Sequence, residues 1–479
     1  MAVLVGLRVS CRFRHNLVFA GRVVATWSFG SPMTGVLIAD EQGLGKTCQA
    51  LAVCEAAALF PIIVVVPSSV RLNWRREIAK WLPHRSTEIV YGTNVERFAP
   101  SADVLIFGWE TIYAWADIID VPKALILDEL HLAKSGQARR TKAVLRLADR
   151  VHDSDGVVIG LTGTPVLSRV GELVPQLRIL NRLADFGGAA KFKTDYAKRL
   201  PLLNRALRAK CYVRRRKIDV LKDLPAKRYT TVVLETTDLE MGVYKAAERD
   251  IVAYLAEVAR NAALQAGASS EEARRAAVVK ALRAQAAQQL VAITALRQLA
   301  VKAKLAAVDE WMSDFVATDE KVVVFCWHRE IVELLANRYS NGLKLYGGMD
   351  DADKQFAVDK FQTDPDQQVL VCGMKAAGVG ITLTASSNVV FVEQGWTPAD
   401  VDQAADRCHR IGQTDSVTVF SLNAAETIDD YMTDLIASKR LVVDAATDGV
   451  AQTDDDMHSV LADLMVRMFD GADASTISE

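Results

Sequence analysis

The run Gly43-Leu-Gly-Lys-Thr47 gathers two glycines, a lysine and a hydroxyl within five positions. Glycines at such spacing let backbone N–H groups approach a phosphate closely. The amine of Lys46 would reach the β and γ phosphates of a nucleotide, and the hydroxyl of Thr47 would ligate Mg2+. Gly43, Gly45, Lys46 and Thr47 are therefore candidate nucleotide-binding residues. The full pattern G-x-x-x-x-G-K-[ST] asks for glycine at position 40, where the chain has Asp40. Alone, the run is also compatible with a chance Gly-Lys-Thr at the start of a helix.

A second pair of reactive groups closes the apolar run Ala124-Leu-Ile-Leu-Asp-Glu129. Acids at the carboxyl end of a buried strand stand where a parallel sheet opens its ligand crevice. Asp128 would hold Mg2+, and Glu129 would orient or deprotonate an attacking water. A third run, Leu161-Thr-Gly-Thr-Pro165, offers the hydroxyls of Thr162 and Thr164 at the same edge. That signal is weak alone, because strand ends often carry Thr and Gly.

The elements that must position these groups are legible as an alternation. Apolar runs at 35–39, 62–67, 103–108, 124–129 and 156–163 predict buried strands, with helical patterns between them. From about 239 to 312 strand signal vanishes, and Ala, Leu, Arg, Gln and Glu recur at helical spacing without sustained heptads. Strands return at 321–327, 343–348, 368–373, 388–394 and 416–422. The fold class is α/β: two parallel-sheet lobes joined by a helical insert. The expected divisions are an atypical segment 1–32, a first lobe 33–230, a helical connector 231–312, a second lobe 313–447 and an acidic tail 448–479. The tail, with Asp454 to Asp456 and the amphipathic run His458-Ser-Val-Leu-Ala-Asp-Leu-Met, reads as a solvated or partner-facing appendage.

Composition narrows the class. The chain has 479 residues, is 50% hydrophobic and 24% charged, and carries a formal charge of -2. Any polyanion site must then be a local patch. Seven scattered cysteines with no C-x-x-C suggest neither a zinc ribbon nor a disulfide framework, and fit a reducing compartment. No apolar run is long enough to span a bilayer. The first 39 residues hold four arginines and no acid. That composition is shared by transit peptides and by an atypical or non-native amino terminus.

Taken together, "DEQGLGKT", "DELH" and "LTGTP" resemble motifs I, II and III of helicase superfamily two, and more narrowly of the Swi/Snf-type ATP-dependent DNA translocases. Members of that family routinely carry Asp where the general loop has its first glycine. The resemblance continues through "VVPSSVRLNWRREIAKW" (65–81), "YVRRRKIDVLKDLPAKR" (212–228), "VVVFCWHREIVELLA" (322–336), "VLVCGMKAAGVGITLTAS" (369–386) and "WTPADVDQAADRCHRIGQTDSV" (396–417). It covers roughly 33 to 447. The short form, with "RLNW" and "LPAKR", looks most like the annealing-helicase branch, which includes small bacterial and phage members.

This resemblance implies two RecA-like lobes, ATP with Mg2+ as cofactors, and DNA as partner, duplex or branched, held through its backbone. Protein partners are not indicated. It implies a cytoplasmic, nucleoid-associated setting in a bacterial or phage-infected cell, with no membrane. Arg407 and Arg410 match the arginine fingers that stabilise charge on the transferring phosphoryl group. Gln403 would line the nucleotide cleft, and Gly378 and Gly380 would allow close backbone approach. Ser68, Ser69, Arg71, Lys375, Thr382 and Thr384 are candidate nucleic-acid contacts, although Arg71 could equally be an ordinary surface charge. His131, with Thr162 and Thr164, would couple hydrolysis to lobe movement. The basic run Arg214-Arg-Arg-Lys217 reads as a solvated face by default, and alternatively as a brace or a nucleic-acid surface.

One departure stands out. The family reads adenine with a glutamine upstream of motif I, and no Gln precedes Gln42 here. Two rival readings remain at this stage: a strand-separating DNA or RNA helicase, and a nucleotide-binding scaffold without turnover.

Overall fold

The computed structural model describes residues 35–95, 102–165, 170–196, 199–236, 238–266, 290–339, 341–374 and 381–448, with isolated positions between 273 and 282 and at 464 and 468. Residues up to Leu224, with the segment from Val442, form one compact unit, and Pro225–Leu441 form a second.

The first unit is built on a seven-stranded sheet. Its strands are β1 (Gly35–Ile38), β2 (Ile62–Val66), β3 (Thr87–Ile89), β4 (Val104–Gly108), β5 (Ala124–Asp128), β6 (Val157–Leu161) and β7 (Tyr212–Val213), in the order β3-β4-β2-β5-β6-β1-β7. Every pairing is parallel. Helices on the faces bury β1, β2, β4 and β6 along their whole length, which is why they are continuous Val/Ile/Leu runs and not alternating ones. Register then sets the chemistry. Ile38 of β1 lies opposite Leu161 of β6, and Leu161 lies opposite Asp128 of β5. The three loops that follow these residues therefore leave one sheet edge at the same level.

The second unit carries β8 (Lys227–Leu234), β9 (Val322–Cys326), β10 (Lys344–Leu345), β11 (Val369–Gly373), β12 (Asn388–Phe391) and β13 (Val417–Ala424), ordered β10-β11-β9-β12-β13-β8 and again all parallel. The helices Asp238–Ala266 and Leu290–Val316 pack on each other. Their side chains Tyr244, Leu255, Ile293, Leu296 and Ala300 enter the core beneath the sheet.

Three local expectations differ from what the structure shows. The expected division at 230/231 falls inside β8, whose exposed polar residues give no apolar run, yet whose backbone pairs with β13 in the second sheet. The strand expected at 343–348 shrinks to Lys344–Leu345, the two residues that pair with β11, and a turn containing Gly348 at φ 95° follows. Of the tail expected to be solvated, Leu464 and Met468 are helical and buried in the second unit's core, four residues apart on one helical face. Asp448, the first residue of that tail, is half-buried, and the rest of the tail and the segment 1–32 lie outside the described residues.

Candidate active site

The loop after β1 turns through Asp40 and reaches the helix Lys46–Ala56. Gly43 and Gly45 sit at φ 86° and 80°, a left-handed conformation that glycine tolerates. Gly45 is the residue before the helix and has no side chain to cap it. The first-turn N–H groups are thus presented as an anion site. The Lys46 Nζ donates to the carbonyls of Asp40 (2.8 Å) and Glu41 (3.3 Å), folded back along its own loop. Burial holds its pKa below the usual lysine value, opposed by Glu129, Asp40 and Asp128. Thr47, the second residue of the helix, is half-buried.

Position 40 does not adopt a positive φ, so it does not require glycine. The fully buried Asp40 carboxylate instead accepts hydrogen bonds from the Arg215 backbone N (2.8 Å), from Arg215 Nη2 (2.5 Å) and Nε (3.0 Å), and from Gln49 Nε2 (3.0 Å). The basic run 214–217 is accordingly divided. Arg214 donates to the carbonyls of Ala39 (3.0 Å) and Gly163 (2.9 Å) and pairs with Asp448 through Nε (2.6 Å) and Nη2 (2.9 Å). It links the ends of β1 and β6. The backbone N of Lys217 donates to Glu41 Oε2 (2.6 Å), and its side chain is buried. Arg216 is the exposed member and pairs with Asp219. Three of the four residues thus brace the phosphate loop and do not form a solvated face.

At the end of β5, Asp128 is held from several sides. Trp74 Nε1 donates to Oδ2 (2.8 Å), the Glu129 backbone N donates to Oδ1 (3.0 Å), and Trp109 Nε1 donates to the Asp128 carbonyl (2.7 Å). Burial, and then the neighbouring Glu129, push the Asp128 carboxyl up to about 6, against the pull of the Trp74 bond and Lys46. Glu129 itself has φ 52° and ψ 51°, a left-handed geometry uncommon for a side-chain-bearing residue. His131 is 8% exposed, and its Nδ1 lies 3.2 Å from Glu129 Oε2 and 3.0 Å from Thr162 Oγ1. Thr162 Oγ1 also accepts from the Thr164 backbone N (3.1 Å). The structure therefore brings together Lys46, Asp128, Glu129, His131, Thr162 and Thr164 on one sheet edge.

Hard oxygen donors from a hydroxyl and a carboxylate, Thr47 and Asp128, fit Mg2+, which keeps several waters and phosphate oxygens in its shell. Among the described residues no group of three or more His, Cys, Asp or Glu side chains could hold a metal.

Of the candidate nucleic-acid contacts in this unit, Ser68 Oγ donates to Glu110 Oε2 (2.5 Å). Arg71 Nε donates to the Ser68 carbonyl (3.0 Å), and the guanidinium lies 4.6 Å from the Tyr91 ring centroid. The Ser69 side chain lies outside the described residues.

In the second unit, a capping box between Thr397 and Asp400 starts the helix Pro398–Ala405, which carries the half-buried Gln403. The chain then runs through Arg407 and Arg410. Arg407 is 2% exposed, and its carbonyl accepts from the Leu383 backbone N (2.8 Å). Arg410 Nη1 donates to Thr382 Oγ1 (3.2 Å) and Nε to the Asp406 carbonyl (3.1 Å). Thr384 Oγ1 accepts from Gln362 Nε2 (3.5 Å). Lys375, Gly378 and Gly380 lie outside the described residues. Gln413, the last letter of "HRIGQ", is a buried staple. Its amide donates to the carbonyl of Ser386 (2.9 Å) and accepts from the backbone N–H groups of Thr414 (2.9 Å) and Asp415 (3.0 Å).

Sequence reasoning did not single out Trp74, Trp109, Asp448 or Gln413, and it took Arg215 only as part of the basic run 214–217. The signal available was position: Trp74 and Gln413 lie inside runs quoted for the family resemblance.

Comparison with known proteins identifies the family. The SNF2-related domain family matches residues 24–305, and the helicase conserved C-terminal domain matches 303–412. A human protein named "DNA annealing helicase and endonuclease ZRANB3" is 31% identical over 441 residues, 86% of this chain and 39% of its own length. A Caenorhabditis elegans "SWI/SNF-related matrix-associated actin-dependent regulator of chromatin subfamily A-like protein 1 homolog" is 31% identical over 438 residues, 84% of this chain and 58% of its own. The chain thus spans about two fifths to three fifths of these relatives. Among solved structures, the Sulfolobus solfataricus SWI2/SNF2 ATPase core in complex with dsDNA aligns at 23% identity over 91% of this chain and 93% of that one, with a TM-score of 0.41. With the SNF2-related match covering more than half its length, the chain belongs to the SNF2-related family of helicase superfamily two.

Proposed function

We propose that the protein is an ATP-dependent translocase on double-stranded DNA, using hydrolysis to remodel or reanneal its substrate. The observation that carries the reading is the relay at one sheet edge, in which His131 Nδ1 faces both the Glu129 carboxylate and the Thr162 hydroxyl. A group that must respond to the γ-phosphate is thereby joined to a strand end that can transmit the response. The names of the relatives, an annealing helicase and a SWI/SNF-related regulator, support duplex DNA as the partner.

In this proposal the N–H groups of the loop 43–47 bind the phosphates, and Lys46 swings from its carbonyl partners to the β and γ oxygens. Thr47 and Asp128 would hold Mg2+, which would supply charge neutralisation at those oxygens. Glu129 orients the attacking water and takes its proton, and Arg407 and Arg410 stabilise the developing phosphoryl charge. Gln403 and Gly380 complete the nucleotide contacts. His131, Thr162 and Thr164 couple the chemistry to movement. Ser68, Ser69, Arg71, Lys375, Thr382 and Thr384 hold the DNA backbone, which carries position and little sequence information. No helix among the described residues is long and apolar enough to cross a membrane. The proposed setting is the DNA-bearing cytoplasm of a bacterial or phage-infected cell.

The test is ATP turnover by the full chain with duplex DNA, single strands or RNA, beside Lys46→Ala. Stimulation greatest with duplex, and lost in Lys46→Ala, is expected. Stimulation by RNA or single strands alone would replace this reading with a strand-separating one.

A further inference from the structure

The helix Arg71–Trp81 follows β2, and β2 pairs with β5. This adjacency brings Trp74, 1% exposed, to the carboxyl end of the strand that presents Asp128. A buried indole N–H needs an acceptor, and it is a donor only. Here the acceptor is one oxygen of the Asp128 carboxylate, at 2.8 Å, while the other oxygen takes the Glu129 backbone N–H at 3.0 Å. One fixed bond on each oxygen sets the plane of the carboxylate. The remaining lone pairs stay available on both oxygens. Among the described residues, the other indoles of this unit are placed differently. Trp109 binds the Asp128 carbonyl, Trp115 binds the Gly92 carbonyl at 3.0 Å, and Trp81 binds Glu77 at 2.7 Å. Trp74 is the indole that holds the carboxylate itself.

We propose that Trp74 is a positioning residue of the metal site, fixing the Asp128 carboxylate in the orientation that receives the cation of a Mg2+–nucleotide complex. The proposal rests on the reading of Asp128 as the metal acid. Partners that hydrogen-bond to metal ligands commonly govern metal affinity by about 10–100-fold. Removing the N–H frees the carboxylate to rotate about its own side-chain bonds, and the cation then has to order it. The nucleotide's phosphates would still be held by the loop, so the loss falls on metal affinity and not on metal-free nucleotide binding.

The test is binding of Mn2+, as an EPR-visible stand-in, to the full chain with saturating ADP. Four proteins are compared: unmodified, Trp74→Phe, Trp115→Phe and Asp128→Asn. The expected result is Mn2+ affinity weakened about tenfold or more in Trp74→Phe, intact in Trp115→Phe, and lost in Asp128→Asn, with metal-free ADP affinity unchanged in Trp74→Phe. Unchanged Mn2+ affinity in Trp74→Phe with loss in Asp128→Asn would overturn the role of Trp74 alone. Unchanged affinity in Asp128→Asn would overturn the underlying reading. Equal weakening in Trp74→Phe and Trp115→Phe would mark a packing effect and also overturn it. If Trp74→Phe does not fold, benzothienylalanine at position 74 keeps the bicyclic shape and removes only the N–H. It is expected to weaken Mn2+ equally, and normal affinity there contradicts the proposal.

Discussion

Asp40 and Arg215 meet at 2.5 Å although 175 positions separate them. The aspartate that breaks the general phosphate-loop pattern is thus the anchor of a brace from the strand end after β7. Its carboxylate is fully buried, while the Arg215 side chain is 20% exposed. Asp40→Gly, which restores the general pattern, is expected to destabilise the protein by about 3 kcal/mol, because it removes the buried carboxylate that the Arg215 guanidinium pairs with. The midpoint of urea unfolding checks this, and an unchanged or raised midpoint would contradict it.

Asp128 gives a pH-dependent test of stability. Its folded-state pKa, raised to about 6 by burial and by Glu129, exceeds the ordinary aspartate value of 3.8. Between those values the folded protein binds more protons than the unfolded chain, so this group's contribution to stability is complete below pH 4 and is lost as pH rises through 6. Asp128→Asn removes the buried charge. The metal-free variant is expected to be more stable than the parent at pH 8, by at most about 3 kcal/mol, with the advantage gone at pH 4. Thermal melts at the two pH values measure it.

The relay from Glu129 through His131 to Thr162 separates chemistry from binding. His131→Ala removes the imidazole that lies 3.2 Å from the Glu129 carboxylate and 3.0 Å from Thr162 Oγ1. DNA-stimulated turnover should fall about 10- to 100-fold while ATP affinity holds. Thr162→Ser keeps the hydroxyl and should retain most of the stimulation. Steady-state turnover with and without duplex reads both, and equal loss in the two variants would contradict a hydroxyl relay.

Gln413 holds the segment that carries Arg407 and Arg410. Gln413→Ala strands the Ser386 carbonyl and two backbone N–H groups, each worth about 1–3 kcal/mol if left unsatisfied. Hydrogen exchange should quicken at 384–386 and 413–415 without a change in the first unit. Protection equal to the parent's would count against the staple.

The strands that fill both sheets were legible because parallel strands covered on both faces must be apolar throughout, as in β2 and β9. β3, β7 and β8 were not, since two are only two or three residues long and β8 is mostly exposed on the sheet edge. Lys46, Asp128 and Glu129 could be read from contiguous patterns whose chemistry depends on neighbouring positions. Trp74 and Arg215 could not. Their partners lie 54 and 175 positions away, and only the β2–β5 and β1–β7 adjacencies bring them in.

The most direct measurement is phosphate release by the full chain with saturating Mg2+–ATP and duplex DNA, comparing the parent with Glu129→Gln. Loss of a general base costs about 10²–10⁴-fold. The expected result is duplex-stimulated release in the parent, a fall of that size in Glu129→Gln, and undiminished nucleotide binding in both. Duplex-stimulated release that survives in Glu129→Gln would contradict the account.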